Sequence, residues 1–178
     1  MTAEPFADVV ARIKADRGER AIVPGFEPTH GNERATYLLL LESPGPKAVQ
    51  TGVVSLDNPD PTAANLKAQL DAAGIDREQI AMWNVVPWYL DPRHHPGAPT
   101  ASEIELGCTY LPPLLDRMPN FRVVVLLGGT ARRAHNFLSR TTTARIVSCH
   151  RTSAVVMGPA PWKAEENVAV FRFVSGTG

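Results

Sequence analysis

Cysteine is scarce in this chain: Cys108 and Cys149 are the only two in 178 residues. No C-x-x-C spacing relates them, so by themselves they build neither a zinc site nor an iron–sulfur cluster. A buried free thiol is the expectation for each. Net charge is lacking too, with 18 basic residues against 18 acidic ones. The total therefore names no partner. No apolar run reaches the ~18 residues of a membrane span. The first residues are polar and acidic, which does not suit a secretory signal. A soluble cytoplasmic protein with no membrane contact is the expectation. Internal repeats, low-complexity stretches and linkers are missing, so residues 1–178 read as one domain. A chain of this length buries roughly 70% of its unfolded surface.

What the chain does have is uneven charge and regular alternation. From Phe121 to Ala164 there are seven basic residues and no acidic one, so the remainder carries a net −7. Such asymmetry points to a phosphate or polyanion near that span, or to a solvated face with partners elsewhere. Residues 5–17 place Phe6, Val9, Val10 and Ile13 at helical spacing. Residues 18–34 read as loop. Thr36–Leu41 is a continuous apolar run, the pattern of a strand covered on both faces. Asp60 and Pro61 are suited to cap and open a helix lined by Leu66, Leu70 and Ala73 and ended by Gly74. Ile80–Val86 reads as the second strand. Residues 92–99 form a turn-rich loop in which His94 and His95 are expected to be exposed, without metal partners.

Thr100 and Glu103 have capping-box spacing, and Ile104, Cys108, Leu111 and Leu115 continue a helical stripe that Pro112-Pro113 must kink or end. Arg122–Leu127 is the third strand, residues 131–138 a helix, and Arg145–Cys149 the fourth strand. Val168–Val174 alternates like a strand and also fits a helix. Strands alternating with helical crossovers predict a parallel sheet with helices on both faces.

Four polar or Gly/Pro-rich patches fall where predicted strands end: Glu42-Ser43-Pro44-Gly45-Pro46, Asn84-Val85-Val86-Pro87-Trp88, Gly128-Gly129-Thr130 and His150-Arg151-Thr152-Ser153. Ligands of open parallel sheets bind outside the carboxyl ends of the strands, so the four patches predict one composite site. Glu42 closes an apolar strand, where a carboxylate is costly unless exposed or paired. Asn84 stands inside an apolar strand, where asparagine is disfavoured. It is read either as a functional amide or as one bonded to a neighbouring loop. The Gly128-Gly129-Thr130 junction suits anion binding or tight helix–strand packing equally. It lacks the lysine and spacing of a P-loop and the full dinucleotide fingerprint. Trp83, Trp88 and Trp162 are core residues or flat platforms for a ligand, with Trp88, at a strand end, the best placed as a platform.

In these motifs the chain resembles the uracil-DNA glycosylase superfamily, nearest its bacterial family-4 and family-5 branches, from about Ile22 to Met157. Family members carry Gly-Glu-Ala-Pro-Gly after the first strand, where this chain has Leu41-Glu42-Ser43-Pro44-Gly45. Their Thr-Asn-Val-Val stretch is similar to Trp83-Asn84-Val85-Val86, and their Leu-Gly-x-x-Ala to Leu127-Gly128-Gly129-Thr130-Ala131. Their His-Pro-Ser-Ala is similar to His150-Arg151-Thr152-Ser153-Ala154.

The resemblance implies a three-layer α/β/α domain around a four-stranded parallel sheet of order 2-1-3-4. It implies hydrolysis of the N-glycosidic bond of a flipped uracil or other deaminated base in DNA, by a monomer. No metal or organic cofactor is implied. Glu42, Ser43, Asn84 and His150 would be catalytic. Glu42, or a water held by Ser43, would orient the nucleophile; Asn84 would read the base edge; His150 would bond the developing anion. Pro44, Gly45, Trp88, Arg151, Thr152 and Ser153 would hold base and DNA, with the basic span as the DNA face.

Several features depart from the family. Of the four cysteines in its iron–sulfur branch, only Cys108 has a counterpart, so no cluster is expected. No aromatic residue lies between Val49 and Asp60, where the family has a stacking ring, which leaves Trp83, Trp88 or Tyr89 as substitutes and Asp57 and Asn58 as alternatives for base recognition. Ser43 stands where another branch has an aspartate that positions water. Arg151-Thr152 replaces a single proline. Two other readings therefore stay open: a relative that binds DNA or a nucleotide without cleaving it, and a hydrolase of a free nucleoside or small molecule.

Overall fold

The structure, a computed structural model, describes residues 4–176. In chain order the helices and strands are α1 (Ala7–Arg17), β1 (Gly25–Phe26), β2 (Tyr37–Leu41), α2 (Pro46–Thr51), β3 (Val53–Val54), α3 (Pro61–Ala72) and β4 (Ile80–Asn84). There follow α4 (Ala101–Cys108), α5 (Leu111–Leu115), β5 (Val123–Leu127), α6 (Gly129–Arg132), α7 (His135–Thr141), β6 (Arg145–Cys149), α8 (Ala154–Met157) and α9 (Trp162–Ser175).

Four strands form a parallel sheet in the order β4-β2-β5-β6. The order is not written 2-1-3-4 because two unforeseen short strands, β1 and β3, enter the count at places one and three. They pair with each other in a separate parallel ribbon. Side chains of β2 alternate between two cores, as the period of a strand requires. Leu38 and Leu40 face Ile13, Ile104, Leu111 and Leu138 on one side, while Tyr37 and Leu39 face Leu66, Leu70 and Phe171 on the other. Both faces of the sheet are thus covered, which explains why its central strands are apolar runs without polar alternation.

Capping chemistry sets the helices that frame the site. The Asp60 carboxylate accepts the Ala63 N–H at 3.0 Å, with Pro61 in the first turn of α3. Thr100 and Glu103 make the reciprocal capping box at the start of α4. The helical stripe breaks after Cys108, and Pro112 and Pro113 lie in the first turn of α5, where a missing N–H costs nothing.

Several sequence expectations shift. The second strand stops at Asn84 rather than Val86: beyond it Val85 and Val86 donate their N–H groups to Leu41 and Glu42, and Pro87 has none to donate. The helix expected over 131–138 is two, α6 and α7. The tail is the helix α9, which buries Asn167 and Phe171 on one face and ends at Gly176 in the left-handed conformation (φ 76°). The short helices α2 and α8 carry too few residues to show a period. His95 is half-buried rather than exposed, because its Nε2 lies 3.0 Å from the Glu103 carboxylate; His94 is exposed. Among the described residues no helix is long and apolar enough to cross a membrane.

Candidate functional site

The loop after β2, the carboxyl ends of β4 and β5, and the segments from β3 to α3 and from β6 to α8 line a cavity of about 270 Å³ at the carboxyl edge of the sheet. Its polar lining comes from Glu42, Ser43, Asn58, Asp60, Thr62, Asn84, Arg151 and Thr152. Its apolar wall is made by Val54, Ala63, Leu66, Met82 and Leu127. Pro44 and Gly45 belong to the rim, and Gly45 leads into α2 with open space where a side chain would project.

Glu42 is held on both oxygens. Thr130 Oγ1 donates to Oε2 at 2.5 Å, and Arg151 Nη1 donates to Oε1 at 3.3 Å. The carboxylate at the end of an apolar strand is therefore paired, which resolves its cost. Thr130 opens α6 together with Gly129, after Gly128 turns the chain with φ 93°, a value favouring glycine. An added Cβ at Gly128 would also lie 3.0 Å from that of Arg151.

Asn84 is 2% exposed and lines the cavity, and its Nδ2 has no hydrogen-bond partner among the described residues. Buried amide donors are almost always paired, so an orphan facing a cavity marks a place for a ligand acceptor or a water. Asn58 also lines the cavity, but its amide is committed: Nδ2 donates to the Val53 carbonyl and Oδ1 accepts from Thr51. Asp57 lies outside the lining and forms a two-fold bond with Arg77 at 2.7 and 2.8 Å. That bond holds its carboxyl below the usual range.

The structure turns other candidates away from the cavity or commits their polar groups elsewhere. His150 turns toward α9, where its Nε2 lies 2.6 Å from Glu166 and its ring stands edge-on to Trp162. Asn167 clamps the His150 backbone, accepting its N–H at 2.7 Å and donating to its carbonyl at 3.0 Å. The Thr152 hydroxyl is spent on the Thr62 carbonyl at 3.0 Å, so it is not free for phosphate. Ser153 precedes α8, outside the cavity lining. Trp88 is 3% exposed, with the Arg17 guanidinium over its ring, so it is a core residue rather than a platform. Trp83 is likewise buried, stacked on Phe26 at 4.0 Å.

The basic span also divides. Arg122 and Arg145 sit at the amino ends of β5 and β6, where their backbones join. Arg132 reaches the Cys149 carbonyl at the carboxyl edge, beside Arg151. Both cysteines are buried, and burial raises the Cys108 thiol to about 11 and the Cys149 thiol to about 12. Neither is a ready nucleophile at neutral pH.

Of the two residues that the sequence offered as alternatives for base recognition, Asn58 lines the cavity and Asp57 does not; Asp60 and Thr62 were missed as lining residues, although their turn chemistry was visible. Thr130 was grouped with the glycines rather than with Glu42. Asn167 had no signal, since a buried amide in an amphipathic helix is indistinguishable from a surface one without the fold.

Comparison with known proteins gives the family and the fold. The family model described as the uracil DNA glycosylase superfamily matches residues 28–171. A similar fold is found in a solution NMR structure from Methanosarcina acetivorans, provisionally described as a uracil DNA glycosylase. The two share 16% sequence identity and superimpose with a TM-score of 0.54, over 80% of this chain and 92% of the other. No curated protein matches the chain.

Proposed function

Because the chain belongs to the uracil DNA glycosylase superfamily, we propose that it hydrolyses the N-glycosidic bond of a flipped uracil or other deaminated base in DNA. The observation that carries this reading is Asn84. A buried, unpaired amide donor at the end of β4 faces a cavity closed by the Glu42–Gly45 loop. An amide both donates and accepts, so it matches the mixed edge of a pyrimidine or deaminated purine. Val54, Leu66 and Met82 offer apolar surface to the ring faces, and Lys47 and Arg151 bring positive charge to the mouth. The fixed charges of the site are in place before substrate arrives, the arrangement that favours development of charge on the leaving base.

The test is alkaline cleavage of labelled oligonucleotides carrying one uracil, hypoxanthine or xanthine, single- and double-stranded. Cleavage well above that of the Asn84→Ala variant is expected for at least one base. A folded protein that cleaves none of them sinks the reading. One observation favours a second reading, recognition without cleavage: among the described residues no Phe, Tyr or Trp lines the cavity, so the base lacks a stacking contact worth about 1–3 kcal/mol. Tight binding of a damaged duplex without base release would establish that alternative.

A further inference from the structure

We propose that Arg151, and not His150, is the catalytic residue that stabilises the departing base; the inference rests on the glycosylase reading above. In that reaction the C1′–N bond breaks and its electron pair leaves with the base. A water oxygen bonds to C1′, and the water's proton passes to solvent or a carboxylate and finally to the base. A positive donor beside the base carbonyl lowers the barrier for the breaking bond.

His150 and Arg151 both follow β6. The His150 side chain is taken up by Glu166 and Trp162 of α9, and Asn167 of the same helix clamps its backbone. Arg151 lines the cavity instead. Its side chain makes one hydrogen bond among the described residues, to Glu42, and is half exposed. A guanidinium has five N–H donors, so four remain for a ligand.

Two neighbours are shaped around this arginine. Gly128 gives it room, because a Cβ there would meet the Arg151 Cβ at 3.0 Å. Glu42, tied by Thr130 on its other oxygen, is a fixed anchor for the guanidinium. The arrangement aims the cation without neutralising all of its donors, and the charge persists at every pH of interest because arginine does not deprotonate in proteins.

The experiment is single-turnover base release by the full chain, comparing wild type with Arg151→Gln, Arg151→Lys and His150→Gln from pH 5 to 9. Arg151→Gln is expected to slow release by about 100-fold or more. Arg151→Lys should recover part of the rate, since it keeps the charge and loses the fork. His150→Gln should stay within about threefold of wild type, a change far below the loss of one transition-state donor, with a superimposable pH profile. Circular dichroism melting confirms that each variant is folded. The proposal is overturned if His150→Gln loses as much rate as Arg151→Gln, or if Arg151→Gln keeps its rate and only binds duplex more weakly. A wild type inactive on every base would instead remove the glycosylase reading, and this inference with it.

Discussion

Asn84 leaves a buried donor unpaired, and such a group destabilises a fold by about 1–3 kcal/mol. Nothing in the packing of β4 demands an amide, since its neighbours Met82, Trp83 and Val85 are apolar and buried. The residue is held against stability, which is the pattern of a functional site. Asn84→Leu is therefore expected to raise the urea midpoint, by an amount equivalent to about 1 kcal/mol, while abolishing base release. A variant that lost stability would show that the amide is structural. His30 is a second buried polar residue, and neither ring nitrogen has a hydrogen-bond partner among the described residues. Burial lowers its pKa from 6.5 to about 4, with Arg77 adding to the effect and Glu27 opposing it. Here the folded state resists the proton and the unfolded state accepts it. The stability contribution is complete above pH 6.5 and is lost as pH falls from 6.5 toward 4. Over that window the loss is roughly 3 kcal/mol in full, and roughly 2 kcal/mol by pH 5. Urea unfolding at pH 7 and pH 5 should show that loss in wild type and a clearly smaller one in His30→Gln.

The helices that frame the site are held by contacts of atomic closeness. Gly107 in α4 packs directly on the end of β4: an added Cβ would lie 1.9 Å from the Val85 carbonyl oxygen. Gly107→Ala must push α4 off the sheet and disturb Ile104 and Cys108, which are both core residues. A loss of about 3 kcal/mol is expected in thermal or urea unfolding, at the upper end of overpacking effects. On the other side, Asn167 of α9 binds both backbone groups of His150 and also donates to Gln69 of α3 at 2.9 Å. Asn167→Ala removes the partner of three polar groups, one of them buried and two partly buried. It should cost about 3 kcal/mol and speed hydrogen exchange at the His150 amide before the amides of β6. Which elements were legible in the sequence follows from the same physics. Runs such as Tyr37–Leu41 and Val123–Leu127 are buried on both faces and read as strands without the fold. The two-residue β1 and β3 have no period, and they exist only because their partner is present. The Val168–Val174 segment fits two periods, and the docking of Phe171 against α3 and β6 decides for the helix.

At the scale of the molecule, the sequence located the site's edge better than it located the site's members. Glu42, Ser43, Pro44, Gly45, Asn84, Arg151 and Thr152 all line the cavity. The facing of His150 was not legible, because it is set by contacts with Glu166 and Trp162 of α9 that only the fold brings together. The charge distribution was misleading for a related reason: sequence proximity between Arg122 and Lys163 spans the full height of the sheet twice. Five residues of strand, at about 3.3 Å each, separate Arg122 and Arg145 from the cavity edge. Among the described residues, the cations placed on that edge are Lys47 and Arg151 at the cavity, Arg132 beside them, and Lys163, which lies over Trp162 next to His150. On the proposed DNA reading, four phosphate contacts rather than seven set the salt dependence. The logarithm of the binding constant should then fall against the logarithm of salt with a slope of about −3 to −4, where seven contacts would give about −6. Arg132→Ala should reduce that slope by about 1, and Arg145→Ala should leave it unchanged. Fluorescence anisotropy with a labelled duplex across a salt series measures all three. An equal effect of the two arginines would mean that DNA also wraps the amino ends of the strands, and a flat salt response would point to a small-molecule substrate instead.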